Sequence, residues 1–266
     1  MAVTSNLECV GLGVSSNGAL RSLIDEVVGL AVPIGSAHGL EIRRWEDPSG
    51  ARLVFGLGDQ GVVIDLLPSF AGRIGADLSE VRRINEELAS AAVMDENGEQ
   101  VTAMAFELEE RRFLPFPPDS VSGEASIIAL GVDVTTHADN AAFAASPSSL
   151  MGGEQDESGE VPAHYVDRGW SWPPRMASES FISYGVFGEP ENAKAYARLF
   201  GTVLGSELRT VALTGQTIVR VRVRTVGFEV DLCMPFSDPQ LPTPGEVIGG
   251  GVFLVGSMPS LNPAGR

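Results

Sequence analysis

The chain has 266 residues with 35 acidic and 18 basic side chains, so its formal net charge is −17. Such an acidic surface repels phosphate backbones and anionic membrane surfaces, which argues against a nucleic-acid-binding or membrane-binding protein. Apolar runs are too short to span a bilayer, and residues 1–14 lack the pattern of a signal peptide. We therefore expect a cytoplasmic protein, in which Cys9 and Cys233 are buried and reduced.

The first segment, residues 1–70, predicts one strand, one helix and three further strands. The first strand covers residues 7–14, and the helix covers residues 17–28, between an Asn17 cap and Gly29. Turns that contain Pro or Gly separate the later strands, which are expected at residues 40–46, 51–57 and 62–67. The order of elements in this segment is βαβββ.

The last segment, residues 180–266, predicts the same order. A strand at residues 181–187 precedes a helix at residues 189–205, where apolar side chains recur at helical spacing. Three strands then follow, at residues 207–213, 217–224 and 228–234. We therefore expect an α+β fold in which two related βαβββ units form curled antiparallel sheets.

The central region, residues 71–179, is less regular. A hairpin is expected at residues 91–108, because Asn97-Gly98 suits a type I′ turn. Residues 124–146 predict a strand and a short Ala-rich helix, either by themselves or as the opening of a third, degenerate unit. Residues 146–164 are acidic and rich in Gly, Ser and Pro, which indicates a mobile loop.

Three phrases resemble the paired βαβββ modules of the vicinal-oxygen-chelate superfamily, which contains glyoxalases, bleomycin-resistance proteins and extradiol dioxygenases. They are "ENAKAYARLFGTVLGSEL" (191–208), "GALRSLIDEVVGLAV" (18–32) and "RWEDPSGARLVF" (44–55). The resemblance covers about half of the chain. It implies two curled sheets that enclose a cleft for a small molecule.

The resemblance also implies where a divalent cation would bind in a metal-dependent member. The matching positions are Cys9 and Phe181 in the first strands, and Asp65 and Asp231 in the last strands. Phe181 cannot bind a cation and Cys9 is a soft ligand, so only half of the expected set is present. We therefore expect metal-independent binding of a small molecule, without a cofactor. The alternatives are a lyase or dioxygenase with a cation at Asp65 and Asp231, and a non-catalytic interaction or assembly module.

Two aspartates interrupt apolar strands: Asp65 in "GVVIDLLP" and Asp231 in "GFEVDLCMP". In the strand before Asp231, arginines alternate with valines, and the turn register decides whether Arg220 or Arg222 faces the aspartate. This arginine ladder either forms salt bridges or binds an anionic ligand. Asp65 is expected opposite Val54, where no neighbour supplies a cation, so it needs a partner from elsewhere in the fold.

Two tryptophans in "HYVDRGWSWPPRM" either cover the ligand or fill the connection between the units. The histidines, His38, His137 and His164, lack metal-binding spacing, and Asp139 beside His137 suits a helix cap. The predicted ligand-binding residues are Asp65, Arg220, Arg222, Asp231, Trp170 and Trp172. No catalytic residue is predicted, and the sequence leaves homo-oligomerisation open.

Overall fold

The computed structural model describes residues 5–152, 161–237 and 239–263, which are mostly β-sheet with few helices. The helices are α1 (Asn6–Cys9), α2 (Asn17–Val28), α3 (Asn140–Ala145) and α4 (Ala163–Arg168). The strands are β1 (Val32–Ala37), β2 (Leu40–Glu46), β3 (Ala51–Leu57), β4 (Val63–Phe70), β5 (Ala76–Arg83), β6 (Ala89–Met94), β7 (Gln100–Leu108), β8 (Val121–His137), β9 (Ser180–Ser183), β10 (Tyr196–Thr210), β11 (Thr217–Thr225), β12 (Phe228–Pro235) and β13 (Val247–Ser257). Among these helices, none is long and apolar enough to cross a bilayer.

Strands β1 to β4 form an antiparallel sheet in which each strand pairs with the next one in sequence. Helix α2 buries Leu23 and Val27, which belong to the same apolar core as the strands β2 and β3. The sequence predicted this helix and the strands β2, β3 and β4 closely, because caps and turns mark their ends. The helix cap is Ser16 rather than Asn17, since the Ser16 hydroxyl accepts the Ala19 N–H at 3.1 Å.

The other nine strands form one mixed sheet that closes on itself twice. The N-terminal ring contains β5, β6, β7, β13 and β8, each paired with the next and β8 paired with β5. The C-terminal ring contains β10, β11, β12, β8 and β13 in the same way. Strands β8 and β13 therefore belong to both rings.

The two rings have the same order of strand pairing. In each, three consecutive strands form an antiparallel meander, and the fourth pairs antiparallel with the first. The third strand of each set then pairs in parallel with the fourth strand of the other: β7 with β13, and β12 with β8. The strands of the predicted central region and of the predicted second unit are thus hydrogen-bonded in one sheet.

Two elements of the predicted βαβββ order are wrong. Residues 189–205, predicted as a helix, contain a short 3₁₀ turn and most of β10. Two glycines disfavour a helix there, and Gly201 lies so close to its neighbours that a Cβ atom would come within 2.3 Å of the Arg224 carbonyl oxygen. The strand predicted at residues 7–14 is wrong as well, because Ser5 and Glu8 form a capping box that starts α1.

In the central region, the predicted hairpin is confirmed as β6 and β7, and the predicted strand and helix are confirmed as β8 and α3. Asp139 caps α3, as the sequence indicated, by accepting the Ala142 N–H at 2.7 Å. The loop predicted at residues 146–164 lies partly outside the described residues, which end at residue 152 and resume at residue 161. Cys9 and Cys233 are both buried and free of disulfide bonds, as predicted.

The four-stranded sheet is joined to the two rings by residues 71–75, called the connector below, and by polar contacts. Asp47, in the turn after β2, is buried and accepts backbone N–H groups from Ala212 and Leu213, which follow β10. Burial raises the pKa of Asp47, but hydrogen bonds from Ser49, and then those from Ala212 and Leu213, hold it below its usual range. Buried apolar side chains of both sheets belong to one continuous core.

We predict that Gly75→Ala destabilises the protein by about 1–3 kcal/mol, the usual cost of overpacking. A Cβ atom at this end of the connector would lie 2.3 Å from Arg222 Nη2 and 2.4 Å from the Glu229 carbonyl oxygen. Urea denaturation measures the loss. Gly29→Ala is the matched control, because nothing lies within 4 Å of its Cβ position. Equal stability of the two variants would contradict the close approach of the connector to β12.

Candidate ligand-binding site

The buried carboxylate of Asp231 binds two arginines of β11 and the backbone of the connector. Its Oδ1 accepts Arg220 Nε at 3.0 Å and Nη2 at 2.9 Å. Its Oδ2 accepts Arg222 Nη1 at 3.2 Å and the backbone N–H of Arg73 at 2.7 Å. Arg222 faces Asp231 across the strands, which confirms one of the two registers that the sequence allowed. The predicted salt-bridge ladder is therefore present, with Asp231 at its buried end.

Both arginines also bind groups nearer the surface. Arg220 Nη1 donates to Glu207, and Arg222 Nε donates to Glu229 at 2.9 Å. Arg222 further donates to the carbonyl oxygens of Arg73 at 3.1 Å and Ile74 at 2.9 Å. Arg222 thereby holds the connector against β11 and β12, and the fold sets the positions of both arginines before any ligand binds.

A cavity of about 450 Å³ lies between the connector and the strands β10, β11 and β12. Arg220 and Arg222 form its charged wall, while Ile74 and Leu204 are apolar and 52% and 38% exposed. The Arg73 side chain is exposed at the same cavity and makes no ion pair within the described part of the chain. The cavity therefore combines one available guanidinium group with apolar surface.

Asp65 lies elsewhere, between the four-stranded sheet and the segment after β7. It faces Gly56, so the predicted position opposite Val54 is wrong. Its Oδ2 accepts Arg111 Nη2 at 2.6 Å and Arg112 Nη2 at 3.3 Å. The partner from elsewhere in the fold that Asp65 required is thus supplied by two arginines. None of the three described cavities has Asp65 in its wall.

Sequence reasoning missed two consecutive buried glutamates that precede these arginines. Glu109 is 1% exposed and accepts hydrogen bonds from Arg44, Arg52 and Ser69, one from each of β2, β3 and β4. Glu110 is fully buried and accepts the Ser257 hydroxyl and the Met258 N–H. The only sequence signal is the run "LEERRF", whose four adjacent charges lie between apolar residues.

The predicted tryptophans do not reach the cavity at Arg73. Both rings make edge contacts with Tyr165, at centroid distances of 5.6 Å for Trp170 and 4.9 Å for Trp172. Trp170 is 53% exposed, and the Arg168 guanidinium lies 4.7 Å from its ring centroid. A role for this aromatic cluster in ligand binding stays a prediction.

The residues at Asp65 and Asp231 do not fit a divalent cation. Each carboxylate already accepts arginine N–H groups, and a cation at either position would lie beside two guanidinium charges. Over the described ranges, no group of three or more His, Cys, Asp or Glu side chains is arranged to hold a metal ion. Burial raises the pKa of the Cys9 thiol to about 12, which disfavours the thiolate form that binds metals.

Comparison with known proteins gives no match. No family model, no curated protein and no solved structure is similar to the chain at a significant level. A functional proposal therefore depends on the geometry of this chain's own residues.

We predict that Asp231→Asn lowers the free energy of unfolding by about 3–5 kcal/mol, because it leaves two guanidinium groups without their buried partner. Glu229→Gln is the matched control. It removes a second carboxylate from the same Arg222, but Glu229 has a 42% exposed side chain, so about 0–1 kcal/mol is expected. Urea denaturation compares them, and equal losses would contradict the central role of Asp231.

We predict that stability falls as the pH rises from about 5 to 8. Burial, and then the Glu109 charge, raise the pKa of Glu110 from 4.5 to about 7. A carboxyl group whose pKa is raised by folding contributes its full stabilisation when the pH is below its pKa in the unfolded chain. This contribution is lost as the pH rises through its pKa in the folded protein. Burial raises the pKa of Glu107 to about 7 as well, and it acts in the same direction.

Urea denaturation of Glu110→Gln at several pH values tests this dependence. The neutral amide avoids the ionisation cost, so the variant gains stability relative to the native protein as the pH rises. Glu26→Gln, at an exposed position of α2, is the control and should follow the native curve. Parallel curves for the native protein and Glu110→Gln would contradict the raised pKa.

Proposed function

We propose that the protein binds a small anion with an apolar portion in the cavity beside the connector. The observation that supports this most is the exposed Arg73 side chain, which has no ion pair in the described ranges and lies beside two arginines held by Asp231. An anionic group placed there gains a charge-assisted hydrogen bond from Arg73. No part of the site suggests a chemical reaction, so the proposal is for binding.

Local charge supports an anionic ligand. The chain carries 18 basic residues against 35 acidic ones, yet three arginines lie in the wall of this single cavity. Two carboxylates, Glu207 and Glu229, share that wall and are each paired with an arginine. Arg73 has no ion pair within the described residues, so its guanidinium can bind an anionic group although the chain as a whole is acidic.

Size and apolar surface indicate the rest of the ligand. A volume of about 450 Å³ lies within the range of small-molecule sites in proteins. The exposed parts of Ile74 and Leu204 offer apolar contact on two sides of the cavity. An aliphatic or aromatic carboxylate has both properties that the cavity matches.

The alternatives from the sequence receive less support. A cation-dependent lyase or dioxygenase requires Asp65 and Asp231 as metal ligands, but both carboxylates form salt bridges with arginines. An interaction or assembly module is favoured by the exposed apolar residues Val62 and Ile64 beside and within β4, which lies at an edge of its sheet. The resemblance to the vicinal-oxygen-chelate superfamily stays a prediction, and the helix on which it depended at residues 191–208 is replaced by β10.

The proposal also includes an internal duplication, but of different segments from the predicted residues 1–70 and 180–266. We propose that the related units are the strand sets β5 to β8 and β10 to β13. Their support is the identical order of pairing and the reciprocal parallel pairs. The four-stranded sheet then lies outside the duplication.

We predict that hexanoate binds and that Arg73→Ala weakens it about tenfold, the effect of losing one charge-assisted contact. Two analogues test the two parts of the ligand: hexanamide is uncharged, and acetate lacks the apolar chain. Each should bind to the native protein no more tightly than hexanoate binds to Arg73→Ala. Isothermal titration measures the affinities. Arg21→Ala, at an exposed position of α2 outside the three cavities, is the matched control and should retain hexanoate binding. Unchanged hexanoate affinity in Arg73→Ala would overturn the proposed site.

A further inference from the structure

The N-terminal ring has a cavity of its own, of about 620 Å³. Its walls come from β5, β6 and β7, and Pro117 and residues 185–190 lie over it. It shares no lining residue with the cavity at Arg73. The two cavities are thus separate, one on each ring.

The two cavities occupy equivalent places in the rings. Each lies at an irregularity in the first strand of its ring, where the pairing shifts between Ser79 and Arg82 in β5 and between Val203 and Gly205 in β10. Each is covered by the segment that precedes the first strand of the other ring: the connector for one, and the residues before β10 for the other. Bulges of this kind redirect side chains and are frequent beside binding sites.

The covering segments are held in equivalent ways. The Gly75 carbonyl oxygen accepts the backbone N–H of Glu229 in β12, and the Ser183 hydroxyl accepts that of Ala105 in β7. Gly185 packs closely on the N-terminal ring, since a Cβ atom there would come within 2.7 Å of Ala105 Cβ. The cover over the second cavity is therefore anchored, as the connector is.

Glu80 and Arg82 place an acid and a base in the wall of the second cavity. Glu80 has a positive φ of 51° in the bulge, and both Glu80 and Arg82 are exposed in the cavity wall. Neither forms an ion pair with the other or with another residue of the described ranges. A left-handed backbone at a non-glycine residue costs free energy, so the placement of Glu80 is imposed by the surrounding fold.

The other residues in the wall of the second cavity are Arg83, which already has contacts, and uncharged side chains. Arg83 donates to the Arg111 carbonyl oxygen at 3.0 Å and lies over the Phe116 ring, so its guanidinium is held by these contacts although it keeps its charge. Small side chains leave room for an apolar group: Ala91, Ala92 and Ala103. The cavity wall thus carries the charges of Glu80, Arg82 and Arg83 above an apolar floor, and of these Glu80 and Arg82 have no contact within the described ranges that already holds the charged group.

We infer that this cavity binds a zwitterion, namely an α-amino acid with an apolar side chain. The carboxylate contacts Arg82, the ammonium group contacts Glu80, and the side chain lies on the alanines. A simple anion or a simple amine leaves one of the two protein charges unpaired, so it binds more weakly. The inference is independent of hexanoate binding at Arg73, because the two cavities have different residues.

Isothermal titration with L-leucine, isovalerate and isoamylamine tests the inference, because the last two lack the ammonium group and the carboxylate. We expect L-leucine to bind about tenfold more tightly than either analogue. Arg82→Ala and Glu80→Gln should each weaken L-leucine about tenfold, whereas Arg21→Ala, the matched control at an exposed position of α2 outside the three cavities, leaves L-leucine binding unchanged. Both substituted positions are exposed, so the variants should remain folded, which thermal unfolding checks.

Three outcomes would overturn the inference. One is the absence of L-leucine binding at about 10 mM, a concentration that detects affinities near 1 mM. Another is an isovalerate affinity equal to that of L-leucine, which would leave only an anion site. The third is unchanged L-leucine affinity in Arg82→Ala. Failure of the proposed site at Arg73 would be shown by a different result, namely unchanged hexanoate affinity in Arg73→Ala.

Discussion

The carboxylate of Asp231 in β12 binds both β11 and the connector, and so holds these three segments together. A buried charge is tolerated only when its hydrogen bonds are complete, and here two guanidinium groups and one backbone N–H complete them. Because Arg222 also binds the connector's carbonyl oxygens, the path of the chain from β4 to β5 depends on this carboxylate. These contacts hold the connector apart from β10, and the cavity at Arg73 is the space between them.

Other carboxylates fasten the four-stranded sheet to the rings by the same chemistry. Asp47 accepts backbone N–H groups after β10, Asp65 pairs with Arg111, and Glu109 accepts from three strands of the opposite sheet. Polar contacts of this kind require defined directions, whereas apolar packing tolerates sliding. The apolar core thus supplies the driving force for association of the two sheets, and the carboxylates set their relative position.

Local signals in the sequence were sufficient where neighbours along the chain decide the structure. Turn residues and alternation predicted β2, β3 and the β11–β12 hairpin, whereas the choice between the two registers at Asp231 came from the structure. They failed for β10, whose strand conformation depends on distant partners on both of its sides. The partners of the two aspartates were equally out of reach, since Arg73 is 158 residues from Asp231 and Arg111 is 46 residues from Asp65.

The shared strands β8 and β13 mean that each ring borrows one strand from the other half of the chain. The N-terminal ring is closed by β13, and the C-terminal ring is closed by β8. The exchange is reciprocal, because β7 pairs with β13 and β12 pairs with β8. Either half alone would expose two strand edges that are paired in the whole chain. Each half thus offers the other a template for strand pairing.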